Sequence, residues 1–182
     1  MVHWQKLGTQ EVLTHPRMQL VEDTVLLQNG QQTEYLREVN KPDYVTIIAR
    51  RDAKVAMVYD YSYPNDDMLL QFPEGVIDDK ETPEQCGIRE LREEAGLLAG
   101  VLRSIGKNLH NQRRSTAQQI VLVADQLKEV PQEHEAEESG MSLVWLAEQE
   151  VWDKIAAGEI KQKNTLAAWT IYAATQHLMP EA

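Results

Sequence analysis

Apolar positions come in short extended runs up to residue 72, change to a three-and-four spacing between 82 and 96, and then return to short runs. Two further helical stretches close the chain. Leu13, Met18, Leu20 and Val25 to Leu27 are strand-like, Asn29-Gly30 signals a turn, and Thr33 to Val39 resumes an extended pattern. Residues 1–40 therefore read as a small β-meander. Tyr44 to Ile48 is apolar enough for a buried strand, Arg50-Arg51-Asp52 turns the chain, and Val55 to Tyr59 returns. Leu69 to Phe72, Val101 to Ile105, Gln119 to Ala124 and Met141 to Trp145 give four more strands. A helix is expected from Ala147 to Ala157, stopped by Gly158, and a last one from Thr165 to about His177 with Asn164 as its N-cap. Leu166, Trp169, Ile171, Ala174 and Leu178 give that last helix a broad apolar surface.

The helix in the middle is the most sharply punctuated. Thr82 and Gln85 form a capping-box pair, Pro83 falls at the first helical position, and Gly96 suits the left-handed position past a C-terminus. At about 100° per residue, Ile88, Leu91 and Ala95 share a face expected to meet the core, while Glu90, Glu93 and Glu94 gather on the other side beside Cys86 and Gly87. Like charges three and four residues apart repel, so three carboxylates on one face invite a divalent cation, and hard oxygen ligands suit Mg²⁺ or Mn²⁺. Gly87 costs a helix interior about 1 kcal/mol against alanine, which is understandable if the helix lies close to another backbone or to a ligand.

Composition narrows the classes. The chain has 182 residues, 42% hydrophobic and 26% charged, ordinary values for one globular domain with a short appendage. Its formal net charge of −11 argues against a general nucleic-acid binder, and an acidic protein handling an anionic substrate needs cations at its site. Cys86 is the only cysteine, which excludes a disulfide framework and a cysteine-based zinc site. With no apolar leader-like segment and no run of about 18 apolar residues, the expected location is cytoplasmic, with no membrane partner.

Residues 75–97 read G-x5-E-x7-R-E-U-x-E-E-x-G-U, where U is bulky and apolar, with Gly75, Glu81, Arg89, Glu90, Leu91, Glu93, Glu94, Gly96 and Leu97 in the specified places. At ordinary residue frequencies the seven fixed identities would match one given window with odds of roughly 10⁻⁸. The stretch resembles the Nudix box, the signature of hydrolases that cut nucleoside diphosphates linked to another moiety. The resemblance implies an α+β fold of the Nudix type, an α/β/α sandwich with a mixed sheet, here with the meander of residues 1–40 preceding a hydrolase domain over 41–182. It implies Mg²⁺ or Mn²⁺ held by Glu90, Glu93, Glu94 and the backbone carbonyl of Glu74. Arg89, Glu93 and Glu94 are then catalytic, Arg89 by orienting a neighbouring glutamate, while Gly75, Glu81 and Gly96 shape the loop and helix ends.

The layout outside the box resembles ADP-ribose pyrophosphatases and nucleoside diphosphate sugar hydrolases, whose N-terminal segment often exchanges between subunits, so a homodimer is expected. Related enzymes carry a catalytic or metal-binding glutamate on a loop where this chain has residues 132–138. Glu135, Glu137 and Glu138 are candidates, with Glu138 the assigned one. The basic stretch around Arg113 and Arg114 can grip phosphate bidentately and is the candidate substrate contact. Gln112 and Arg113 stand where ADP-ribose pyrophosphatases have a proline, and the Tyr59–Pro64 run lacks their arginines. The tyrosines of that run are expected to pack on the sheet or to stack on a base. The resemblance implies hydrolysis of ADP-ribose or a nucleoside diphosphate sugar to a nucleoside monophosphate and a sugar phosphate. A dinucleoside polyphosphate, nucleoside triphosphate or dinucleotide cofactor is the alternative substrate, and a nucleotide-sensing module without catalysis the alternative class.

Overall fold

The computed structural model describes residues 3–132 and 140–178. The chain divides into two compact units, one formed by the residues up to Pro42 with Leu109–Gln118, the other by Asp43–Asn108 with the residues from Gln119 onward.

The first unit is an antiparallel three-stranded sheet, β1 (Gln5–His15), β2 (Met18–Leu26) and β3 (Gln32–Val39), paired in the order β1-β2-β3. Gly30, with φ of 81°, makes the β2–β3 turn at the expected Asn29-Gly30 step. Only β2 alternates into a covered face, with Val21, Asp23 and Val25 buried, while every residue of β1 is exposed. The 109–118 segment is tied to β3 by backbone, Glu38 N–H donating to Arg114 O at 2.7 Å.

The second unit is built on a mixed seven-stranded sheet: β4 (Tyr44–Arg51), β5 (Lys54–Ser62), β6 (Asp67–Gln71), β7 (Glu74–Val76), β8 (Leu97–Leu109), β9 (Gln118–Glu129) and β10 (Ser142–Ala147). Its order is β10-β5-β4-β9-β8, with β6 on β5 and β7 on β4, and β4 runs parallel to β9 but antiparallel to β5 and β7. Because strand side chains alternate, this sheet builds two cores. Ile48, Val55, Met57, Val121 and Val123 point to one side and pack with Val151 of α2 (Glu148–Ala156) and Trp169 and Tyr172 of α3 (Lys163–Leu178). Val45, Ile47, Ala56, Val58 and Leu122 point to the other and meet Cys86, Leu91 and Ala95 of α1 (Pro83–Ala95). The unit is therefore a helix–sheet–helix sandwich, with the continuous apolar runs of β4 and β5 buried on both faces.

Helix α1 begins and ends where its punctuation requires. Gln85 N–H donates to Thr82 Oγ1 at 3.2 Å, Thr82 N–H to Gln85 Oε1 at 2.8 Å, and Gly96 is left-handed with φ of 62°. The face it buries differs from the expected one. Ile88 is exposed, and the buried stripe is Cys86, Gly87, Glu90, Leu91, Glu94 and Ala95. Ile88 lies just past the edge of that stripe, which small residues and two carboxylates occupy. A Cβ on Gly87 would come within 2.7 Å of Leu122 and 2.9 Å of Leu102, so this glycine lets the helix settle against apolar side chains of the sheet.

A second correction concerns α3. It starts at Lys163, and Thr165 N–H is taken by Gln162 Oε1 at 2.6 Å, leaving the Asn164 side chain for another partner.

Candidate active site

Strand β7 delivers Glu74 and Gly75 to the buried stripe of α1. Glu94 Oε2 accepts a hydrogen bond from Glu74 N–H at 3.2 Å. On the same turn, a Cβ on Gly75 would stand 1.7 Å from Glu90 Oε1, so only glycine allows that carboxylate its position. Glu90 and Glu94, 5% and 4% exposed, thus bracket the 74–75 peptide. Burial at this level rules out a solvated acidic helix face, since a carboxylate leaves water only when specific partners replace it.

Arg89 organises the flank. Its Nε and Nη2 meet the two oxygens of Glu81 at 3.0 Å each, a bidentate fork, while Nη1 donates to Glu90 Oε1 at 2.6 Å and Glu93 Oε2 at 3.1 Å. Nη2 also donates to Val76 O at 3.0 Å, closing the loop onto the helix. Glu81 is anchored in turn by Asp78 N–H at 3.0 Å. The hydrogen bond from Arg89 holds the Glu81 carboxyl below the usual range, and the same bond, helped by Glu90, raises the guanidinium's own pKa. Beside them the Cys86 thiol is buried and pushed up to about 12, first by that burial and then by the Glu90 charge, so it stays a protonated, inert thiol.

The Glu74 side chain has a surrounding no local motif announces. Its Oε1 accepts from Gln162 Nε2 at 2.7 Å, its Oε2 from Thr46 Oγ1 at 3.2 Å, and Asn164 Nδ2 reaches both oxygens at 3.2 and 3.1 Å. Gln119 Nε2 donates to Thr46 Oγ1 at 2.7 Å and to Asn164 O at 2.8 Å, and Tyr44 O–H donates to Asn164 Oδ1 at 2.9 Å. Burial pushes the Glu74 carboxyl up to about 7 against these hydrogen bonds, and burial with the nearby Glu74 charge lifts Tyr44 to about 12. Thr46, Gln119, Gln162 and Asn164 escape sequence reasoning because they come from β4, β9 and the start of α3. The one readable signal is Thr46, a polar residue inside the apolar run Tyr44–Ile48.

The remaining candidates fall elsewhere. Arg113 and Arg114 lie in the first unit, where Arg113 O accepts from Tyr35 O–H. Arg114 Nη1 donates to Leu36 O at 2.5 Å and its guanidinium stands 5.6 Å from the Tyr35 ring centre. Of the tyrosine run, Tyr59 packs on the α2–α3 core, Tyr61 is exposed and bonded to Asp66, and Tyr63 is 83% exposed. Glu135, Glu137 and Glu138 lie outside the described residues.

The donor set suits a hard divalent cation, offering carboxylate oxygens from Glu90, Glu93 and Glu94 beside the Glu74–Gly75 backbone. Two of these carboxylates are already held buried at the turn. Among the described residues no three acidic, histidine or cysteine side chains converge as a finished ligand cage, and Arg89 lies bonded to Glu90 and Glu93.

The NUDIX domain family matches residues 40–169, most of the chain. The protein belongs to the Nudix family. Among curated relatives, it is 30% identical over 101 residues to the ADP-ribose pyrophosphatase of Bacillus subtilis (strain 168), covering 54% of each chain. It is 33% identical over 91 residues to the methanol dehydrogenase activator of Bacillus methanolicus, covering 50% of this chain and 49% of that one. A match at 45% over 51 residues to the RNA pyrophosphohydrolase of Aliivibrio fischeri (strain MJ11) covers 28% and 30%. The chain spans about half or less of the length of these relatives. The fold is that of a solved ADP compounds hydrolase, with a TM-score of 0.87, 96% of this chain and 94% of that one covered, and 19% identity. Among the described residues no helix is long and apolar enough to cross a membrane.

Proposed function

We propose that the protein is a divalent-metal-dependent pyrophosphohydrolase that splits ADP-ribose or a nucleoside diphosphate sugar into a nucleoside monophosphate and a sugar phosphate. The observation that carries this reading is the pair of buried carboxylates, Glu90 and Glu94, bracketing the 74–75 peptide. Glu90, Glu93, Glu94 and the Glu74 carbonyl would hold Mg²⁺ or Mn²⁺, which would supply neutralisation of the diphosphate and greater acidity of the attacking water. The chain's own residues do the rest. Arg89 fixes the carboxylates of Glu81, Glu90 and Glu93, Glu81 keeps the loop closed, and Gly75 keeps the approach to Glu90 open. Glu93 or Glu94 takes the proton of the attacking water. Substrate phosphates are contacted by Arg113 or Arg114, whose guanidinium groups can grip phosphate bidentately.

The likeness to an ADP-ribose pyrophosphatase supports the substrate class. Gln112 and Arg113, in place of the proline of that group, favour a second reading in which another nucleoside diphosphate derivative is cut. The protein acts as a cytoplasmic homodimer in this account. The exposed apolar residues of the first unit, Trp4, Leu7, Val12, Leu13 and Met18, support the dimer. Light scattering at micromolar concentration checks it.

The test is a panel of ADP-ribose, GDP-mannose, UDP-glucose, diadenosine polyphosphates, NADH and nucleoside triphosphates with Mg²⁺, read as phosphate released after phosphatase treatment. ADP-ribose or a sugar nucleotide turned over fastest supports the first reading, and a dinucleotide or triphosphate the second. Tight binding without turnover of any compound would overturn both in favour of a sensor.

A further inference from the structure

The Glu74 carboxylate is a partly buried acid whose side chain the hydrolysis does not use, and it is nevertheless held by three residues from two elements. Its four hydrogen bonds come from Thr46 in β4 and from Gln162 and Asn164 at the start of α3. Its own backbone N–H is the group that meets Glu94 Oε2. Side chain and peptide of one residue therefore connect the start of α3 to a carboxylate of α1, and the glycine that follows is the one pressed against Glu90. Strand β7 pairs with Tyr44, Val45 and Thr46 and is held at its far end by Arg89 Nη2 on Val76 O, and the grip on the Glu74 side chain secures its near end.

Asn164 is the centre of the grip. Its Nδ2 spans both Glu74 oxygens, its Oδ1 takes Tyr44 O–H at 2.9 Å, and its carbonyl takes Gln119 Nε2 at 2.8 Å. Gln119 is itself held by Asn108 Nδ2 at 2.6 Å. The amide is thus locked in one orientation, its donor side toward Glu74. A helix of this length needed only a cap, and Gln162 already provides it. The usual N-cap residue has been turned away from its helix and toward the box.

We propose that Asn164 is a positioning residue of the active site, acting through Glu74 to fix the 74–75 peptide against Glu90 and Glu94 and so to set the geometry of the cation site. The inference rests on the metal-dependent reading above. Groups one step removed from a metal's ligands typically matter about 10–100-fold in affinity or activity.

The experiment follows Mn²⁺ binding by electron paramagnetic resonance without substrate, alongside kcat, KM and thermal stability. The proteins are the wild type, N164A, N164D and the E74Q/N164D double variant. N164A is expected to bind Mn²⁺ about tenfold more weakly and to lose kcat by a similar factor, with KM for the nucleotide within about threefold. N164D, which sets carboxylate against carboxylate, loses more. The double variant restores a donor–acceptor pair of reversed polarity and recovers most of both quantities. A purely structural role would lower the melting temperature yet leave Mn²⁺ affinity of the folded protein unchanged. A folded N164A with Mn²⁺ affinity and kcat within twofold of wild type overturns the proposal. Should N164A not fold, Y44F, which removes the hydroxyl bonded to Asn164 Oδ1, is expected to lower both by about two- to fivefold, and unchanged values overturn the proposal there. A wild type that neither binds Mn²⁺ nor turns over a diphosphate overturns the proposed function as well; a competent wild type with indifferent variants overturns this inference alone.

Discussion

Strands β1 and β4 show how differently the two units are held. All eleven residues of β1 are exposed, whereas six successive residues of β4, Tyr44 to Ala49, are buried. The second unit packs helices on both faces of its sheet and draws its stability from two apolar cores. The first has few buried side chains and relies on strand pairing and on one polar cluster, Asp23 with Arg37 Nε at 2.5 Å and Thr9 Oγ1 at 2.6 Å. Chemistry needs carboxylates that hold still, and the unit with two cores is the one that carries them. The first sheet keeps large apolar side chains exposed, among them Leu7, Val12 and Met18.

The contrast predicts which changes strike activity and which strike stability. Glu94→Gln should lower kcat/KM by about 10³-fold with the melting temperature nearly unchanged, measured by steady-state kinetics and calorimetry. Gly75→Ala should cost about 10–100-fold, because the new methyl displaces the Glu90 carboxylate, an end of a side chain that can swing away and spare the fold. Arg89→Lys should lower both, losing about 1–3 kcal/mol in denaturant unfolding because a lysine cannot make the fork to Glu81 while also meeting Glu90 and Glu93.

Asp23, which ties the strands of the first unit together, should affect stability alone. The Arg37 hydrogen bond holds the Asp23 carboxyl below its ordinary range, against the upward pull of burial. A depressed folded pKa contributes stability that is complete above the unfolded value of about 4 and is lost as pH falls through the folded value. Asp23→Asn should therefore lower the melting temperature at neutral pH and flatten its decline below about pH 4, with kcat unaltered. Arg114→Ala, losing the bond to Leu36 O, should show the smallest effect on stability, under about 1 kcal/mol in denaturant unfolding. An equal loss of activity from Asp23→Asn and Gly75→Ala would erase the contrast.

What was legible in the sequence follows the range of the interactions. The capping box and the terminal glycine are local, so residues 82–96 could be bounded, while Gly75 and Glu81 were singled out by the resemblance of residues 75–97 to the Nudix box. The apolar run Tyr44 to Ile48 marked β4 as a buried strand. Periodicity misplaced Ile88, because it ranks residues by apolarity while this helix turns Gly87 and two carboxylates inward. It also made Asn164 a cap, when the cap is Gln162 and Asn164 serves Glu74, ninety residues away. The membership of 109–118 in the first unit rests on long-range bonds to β3, among them Glu38 N–H to Arg114 O, that no local pattern records.

Phosphorus NMR of ADP-ribose incubated with the protein and Mg²⁺ tests the central claim most directly. The diphosphate signals should give way to two phosphomonoester signals, and a chelator should stop the change. Persistence of the diphosphate with Mg²⁺ present, for ADP-ribose and the sugar nucleotides alike, or conversion that a chelator leaves untouched, would contradict it.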